Sequence, residues 1–263
     1  MNDFHGKVSP SYLHQAANVF SHIKQLSYTR MRILPGDHVL DVGCGSGLDV
    51  IAITEQLDAT GKVTGLDYDT TMLKQALPKI EEAPRGRQAS FVQGISGELP
   101  FGNDAFDSCR SERLFVHLLR PEQTLAEMIR VTKPGGKVVV VDTDWSSLSI
   151  DTPFPSIERA LSEYLLTCVS KNGYSGRSLY RQFRQLRLAD IHIEVHPLFV
   201  TDKDLFYSLT MLEAIEEQAL AEQRISAEQL ENWRREIRRA SETDCFYGSV
   251  NVVMVSAVKT ESS

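Results

Sequence analysis

Apolar positions along the chain follow two rhythms. Short unbroken apolar runs bounded by glycine, proline or acids read as buried strands, and between them apolar residues recur every three or four positions, as in amphipathic helices. The predicted strands cover residues 39–42, 62–66, 89–93, 105–110, 137–142, 191–200 and 246–258, and the predicted helices residues 9–26, 46–57, 70–80, 121–131, 155–171 and 177–188. Residues 205–240 read as two helices broken near Ile225-Ser226. In the first helix Leu13, Ala16, Ala17, Phe20, Ile23 and Lys24 line up as one stripe. Alternation of strand and helix in the first half predicts a doubly wound α/β sheet.

The run Val39-Leu40-Asp41-Val42-Gly43-Cys44-Gly45-Ser46-Gly47 ends a strand in an acid and spills into a loop with glycine at every second position. Such a loop lets backbone N–H groups approach a polar ligand closely, in the crevice beyond the strand ends where open α/β sheets bind ligands. A dinucleotide site requires Gly-x-Gly-x-x-Gly. Here the third glycine arrives one residue early and Leu48 stands in its place, which disfavours a nucleotide-dependent oxidoreductase. Gly61-Lys62-Val63-Thr64-Gly65-Leu66-Asp67 is a second strand ending in an acid, twenty residues after Gly47, and a carboxylate there can accept two ribose hydroxyls.

Both elements, in register, closely resemble the class I S-adenosylmethionine (SAM)-dependent methyltransferases. Lys133-Pro134-Gly135-Gly136-Lys137 before a valine-rich strand resembles the same family, so the likeness runs from about Arg32 to Asp144. It implies a seven-stranded Rossmann-like sheet whose last strand is antiparallel, an amino-terminal helix, and a helical cap from Asp202 to Ala240 over the active-site face. The whole reads as one domain: a helical extension over residues 1–34, a SAM-binding core over 35–145, and substrate-side helices and closing strands over 146–263.

By this resemblance the cofactor-binding residues are Asp41, Gly43, Cys44, Gly45 and Gly47 for the methionine head, Asp67 for the ribose, and Tyr68 and Met72 for an apolar wall. Gly94, Ile95 and Ser96 fall at the adenine, and Arg110 and Ser111 at the end of the fourth strand. Ile95 departs from the family, which usually has an acid there to accept from the adenine amino group. The departure removes one hydrogen bond, about 0.5–1.5 kcal/mol and up to about tenfold in affinity. It keeps a second reading open, a non-catalytic SAM- or ligand-binding module.

His117 follows the fourth strand as the candidate general base, since a neutral imidazole accepts a proton at cellular pH. Asp144 and Trp145 end the fifth strand, where a carboxylate can orient a hydroxyl or amine and an indole can stack on a flat acceptor. Tyr12 and His14 are further candidates for the substrate side. The implied activity is methyl transfer to a small apolar or aromatic acceptor, as in the quinone- and natural-product-modifying branch, with O-methylation favoured.

Composition narrows the partners. The chain has 263 residues, 42% hydrophobic and 24% charged, with a net charge of −7 that disfavours nucleic acid and anionic membrane. No run of about 18 apolar residues and no signal-peptide core appears, so a cytoplasmic protein is expected. Arg177, Arg181, Arg184 and Arg187, and Arg234, Arg235, Arg238 and Arg239, recur at helical spacing as solvated faces with local ion pairs. The four cysteines, Cys44, Cys109, Cys168 and Cys245, are dispersed and form no metal motif, so no metal is expected. Oligomeric state is left open, a homodimer included.

Overall fold

A computed structural model describes residues 10–186 and 188–261, with side chains from Val19 onward except that of Val169. Seven strands form one sheet in the order β3-β2-β1-β4-β5-β7-β6. They are β1 (His38–Val42), β2 (Lys62–Asp67), β3 (Ala89–Gln93), β4 (Phe106–Glu112), β5 (Thr132–Ile150), β6 (Ala189–Val200) and β7 (Gly248–Val258). β1 to β5 pair in parallel, and β7 runs antiparallel between β5 and β6, as expected of a seven-stranded sheet of this kind.

Helices α2 (Leu48–Thr54), α3 (Thr70–Glu82), α4 (Pro121–Val131) and α6 (Ser175–Gln185) flank the sheet, and α1 (Pro10–Met31) precedes it. Val39, Val63, Val139, Val141, Val252 and Met254 face one apolar layer with Phe20, Ile23 and Met31 of α1; Leu40, Val138 and Val140 face the other with Met128 and Phe183. The side chains of alternate residues on each strand thus supply both layers, which is why these strands are nearly continuously apolar.

Several element boundaries depart from the expected ones, and in three places the departure changes the architecture. β5 spans 19 residues, because Thr132 already pairs with Phe106 while Lys137 pairs with Ser108. Pro134-Gly135-Gly136 is therefore a bulge inside the strand, with Gly135 at φ 79°, rather than a turn before it. The helix expected over 155–171 stops as α5 (Pro155–Tyr164) and passes into a π-turn, Leu165–Val169. The 205–240 stretch holds three helices, α7 (Lys203–Thr210), α8 (Leu212–Ala221) and α9 (Ala227–Glu242). The expected break is present, with Ser226 capping α9 in a reciprocal capping box with Gln229; an additional one falls at Met211, which adopts φ 54°.

β6 ends and β7 begins opposite one another, Val200 against Gly248, and Gly248 also faces Ile150 at the far end of β5. α7 to α9 therefore leave and rejoin the sheet at the carboxyl edge of its parallel strands. They pack with α5 around Phe206, Ile215, Trp233 and Ile237. No helix among the described residues is long and apolar enough to cross a membrane.

Candidate functional site

The glycine loop follows β1 and meets the end of β2 at Leu66 O and the segment after β4 at Leu114. Gly47 takes φ 76°, and a Cβ there would lie 2.5 Å from the Phe91 ring, so the loop is pressed onto β3 and needs glycine. Gly45, at φ 52°, is different: a Cβ there would meet nothing within 4 Å. The loop is thus packed on its sheet side and open on the other.

Asp67 bridges this loop to the start of α3. Its carboxylate accepts from Gly45 N–H at 2.8 Å and Asp69 N–H at 2.9 Å. Each oxygen holds one of these bonds, and an ionised carboxylate offers about four acceptor positions, so about two remain for a ligand. Gly43 and Cys44 donate their N–H groups to Leu66 O at 2.7 and 3.0 Å, which fixes the turn to β2. Burial raises the Cys44 thiol far above its ordinary pKa, with Asp41 and Asp67 adding to the effect, so it is an unreactive filler.

Asp41, the matching acid of β1, lies in different surroundings. It accepts from Arg110 Nη1 at 3.1 Å inside a buried ionic network that sequence reasoning missed. Arg110 is fully buried; it also donates to Ser27 Oγ at 3.1 Å and to Glu112, lies 3.5 Å from Asp49, and stands 5.1 Å from the Tyr28 ring centre. Lys24 Nζ reaches Asp49 at 2.6 Å and Glu112 at 2.9 Å, and the Tyr28 hydroxyl donates to Asp49. Burial raises the Asp41 pKa to about 6 although Arg110 opposes it. At Asp49 burial acts the same way, but Arg110 and Lys24 together overcome it and hold the acid well below its usual range. The one available signal was Lys24 itself, a charge within the otherwise apolar stripe of α1.

Arg110 is therefore committed to the interior rather than facing the cleft. So is Ser111, which is fully buried and donates to Val42 O at 2.9 Å.

Around the adenine position, Tyr68 and Ile95 follow the ends of neighbouring strands and are 62% and 68% exposed, large apolar surface for side chains beside a crevice. Met72 is half-buried on α3. Gly94 donates to Asp67 O at 3.0 Å, and Ser96 Oγ pairs with Thr124 Oγ1 at 3.0 Å, which ties the segment to α4. Glu98 pairs back to Ile95 through its backbone.

On the other flank His117 is exposed in a 3₁₀ turn, Phe115–His117. Asp144, almost fully buried, accepts from Arg177 Nε at 3.0 and 2.8 Å and from Ser146 Oγ at 2.9 Å. Its charge is thereby compensated, and Arg177, stacked 5.5 Å from the Tyr174 ring centre, is the group left half-exposed. Trp145 is half-buried against the α5 and cap cluster. Tyr12 and His14 lie on α1, but their side chains are outside the described residues. No group of three or more His, Cys, Asp or Glu among the described residues could hold a metal ion.

Comparison with known proteins places this geometry. Residues 40–140 match the family described as "Methyltransferase domain". The chain is 33% identical over 173 residues to a 37.1 kDa protein of transposon TN4556 from Streptomyces fradiae, covering 65% of this chain and 49% of that one. It is 36% identical over 141 residues to demethylmenaquinone methyltransferase of Listeria welshimeri, covering 52% and 59%. The chain thus spans about half the length of the curated relatives it matches. Among solved structures, the YcgJ protein of Bacillus subtilis superposes with a TM-score of 0.66 at 18% identity, covering 92% of this chain and 99% of that one. Geranyl diphosphate C-methyltransferase of Streptomyces coelicolor does so with 0.58 at 15% identity, covering 98% and 88%.

Proposed function

We propose, from the premise that residues 40–140 are a class I SAM-dependent methyltransferase domain, that this protein binds SAM along the ends of β1 to β3 and methylates a small molecule held at the ends of β4 and β5. The observation that carries the reading is the open side of the glycine loop, with Asp67 fixed across it through Gly45 and Asp69 and two acceptor positions left over. The residues present fit the cofactor in kind. Asp67 takes ribose hydroxyls, the open face of the loop at Gly45 admits the amino-acid head close to the backbone, and Tyr68, Met72 and Ile95 cover the base.

The cofactor supplies a methyl group on a sulfonium, whose charge is lost on transfer. The chain's part is to hold the acceptor in line with that methyl, which replaces a bimolecular encounter by a near-attack geometry. His117 takes the proton that a hydroxyl acceptor sheds, which favours O-methylation. Trp145 and the cap helices form the apolar side of the acceptor pocket, suited to an aromatic or polycyclic molecule. Asp144, neutralised by Arg177, orients rather than deprotonates.

Ile95, exposed where an acid is usual, favours the second reading, a SAM- or ligand-binding module without transfer. Incubation with methyl-tritiated SAM and a panel of phenols, quinols and aliphatic alcohols separates the two. Label in an acceptor supports transfer; SAM binding with no label in any acceptor supports the module.

A further inference from the structure

The turn that carries His117 is gripped from two sides. From the sheet, Asp142, wholly buried at the end of the parallel part of β5, accepts from Val116 N–H at 3.0 Å and from Thr143 N–H at 2.7 Å. From the flank, Asn172 donates its side-chain amide to Phe115 O at 3.1 Å and its backbone N–H to Val116 O at 3.0 Å. Asn172 is itself anchored: its carbonyl accepts from Ser175 N–H at 3.0 Å, and Ser175 donates its hydroxyl to Thr143 O at 3.1 Å. Gly176 completes the contact, since a Cβ there would lie 2.8 Å from Asp144 N.

The turn closes its own backbone bonds, His117 N–H to Leu114 O at 2.9 Å and Leu118 N–H to Phe115 O at 3.1 Å, so it does not need this clamp to form. A buried carboxylate without a cationic partner is costly, and here its polar neighbours are backbone amides and a hydroxyl. Such a departure from the rules of a stable interior is expected where geometry serves a site.

We infer that Asp142 and Asn172 are positioning residues for the acceptor side of the cleft, fixing the Phe115–His117 turn so that His117 is presented from one backbone geometry. This rests on the methyl-transfer reading for its use, and on the contacts alone for its geometry. Burial, opposed by the hydrogen bonds from Thr143 and Val116, raises the Asp142 pKa to about 7, so the clamp carries its own titration. The titratable and charged groups on the elements packed around it are Glu112 and Arg113 at the end of β4, His117 in the turn, Asp144 on its own strand, and Lys171 and Arg177 around the start of α6.

The test is amide NMR of the ligand-free, deuterated full chain. In the wild type the Val116 and Thr143 amide protons should follow one inflection near pH 7, kept in His117→Gln and lost in Asp142→Asn. Asn172→Ala, which leaves Asp142 untouched, should quicken hydrogen exchange at Val116 and His117 by about tenfold, the worth of one hydrogen bond. Calorimetry should give both variants the wild-type affinity for SAM within about threefold. An inflection that survives Asp142→Asn, or wild-type exchange in Asn172→Ala, overturns the clamp, and so does a large loss of SAM affinity, which would place Asp142 with the cofactor. Should Asp142→Asn not fold, the exchange rates of Asn172→Ala decide between a clamped and an unclamped turn. Absence of SAM binding by the wild type would defeat the proposed function while leaving the exchange result to test the clamp.

Discussion

Two strands end in the same way, β1 in Asp41 and β2 in Asp67, yet the two carboxylates have opposite surroundings. Asp67 is held by backbone N–H groups of a loop and of a helix start, which are neutral donors that ask nothing back. Asp41 is held by a buried guanidinium that three carboxylates share and that α1 closes off with Lys24, Ser27 and Tyr28. The first arrangement leaves acceptor capacity towards the cleft. The second fastens an additional helix to the core and leaves Asp41 little freedom. Similar motifs therefore leave free acceptor positions in one place and build a structural joint with an electrostatic edge in the other.

The sharpest way to break this contrast is to remove the shared cation. Arg110→Met strands Asp41 in the interior and leaves Asp49 and Glu112 to Lys24, and the expected loss is about 3–5 kcal/mol of stability. Urea unfolding measures it, and a loss below about 1 kcal/mol, the range of a surface pair, would mean that the network is not a joint. Asp67→Ala acts on the other side. It deletes the bridge from Gly45 to Asp69 as well as the proposed ribose acceptor, so SAM affinity should fall at least tenfold, or about 1.4 kcal/mol, and the urea midpoint should fall by less than in Arg110→Met. A stable variant with unchanged affinity would contradict the ribose assignment.

Smaller effects sharpen the comparison. Ile95→Asp restores the acid that adenine recognition usually employs and should tighten SAM by up to about tenfold, through one hydrogen bond of about 0.5–1.5 kcal/mol. Equal affinities would show that the adenine amino group lies elsewhere. The pH dependence follows from sign. Asp142 ionises near pH 7 in the fold and near 3.8 when unfolded, so its stabilising contribution is full below pH 3.8 and is lost as pH rises through 7. Asp41, raised to about 6 from the same unfolded value, adds to this fall over a slightly lower window. Urea midpoints should therefore decline between about pH 4 and pH 7, level off above that, and decline by less in Asp142→Asn.

Much of the fold was readable because it is written in local patterns. Ala89–Gln93 and Pro121–Val131 fall where strand and helix periodicity put them, and Ser226 marks the start of α9 by its cap. The bulge at Pro134-Gly135-Gly136 and the left-handed Met211 were not readable in place, since the pairing of β5 with β4 and the packing of α7 against α8 decide them. The candidate site divides along the same line. Asp67 and the glycine loop lie close in sequence and their roles are carried by backbone, whereas Arg110 draws its partners from residues 27, 28, 41, 49 and 112. No spacing rule links those positions. A lysine in the apolar stripe of α1 was the trace they left, and it pointed to burial of a charge without naming what it meets.

On the proposed reading the ends of β1 and β2 hold SAM, with Asp67 as the ribose acceptor. Isothermal titration of the wild type and of Asp67→Asn with SAM tests it most directly. Saturable one-to-one binding in the wild type, weakened at least about tenfold in the variant, is the expected result. No binding heat in the wild type, or the same isotherm from both proteins, would contradict it.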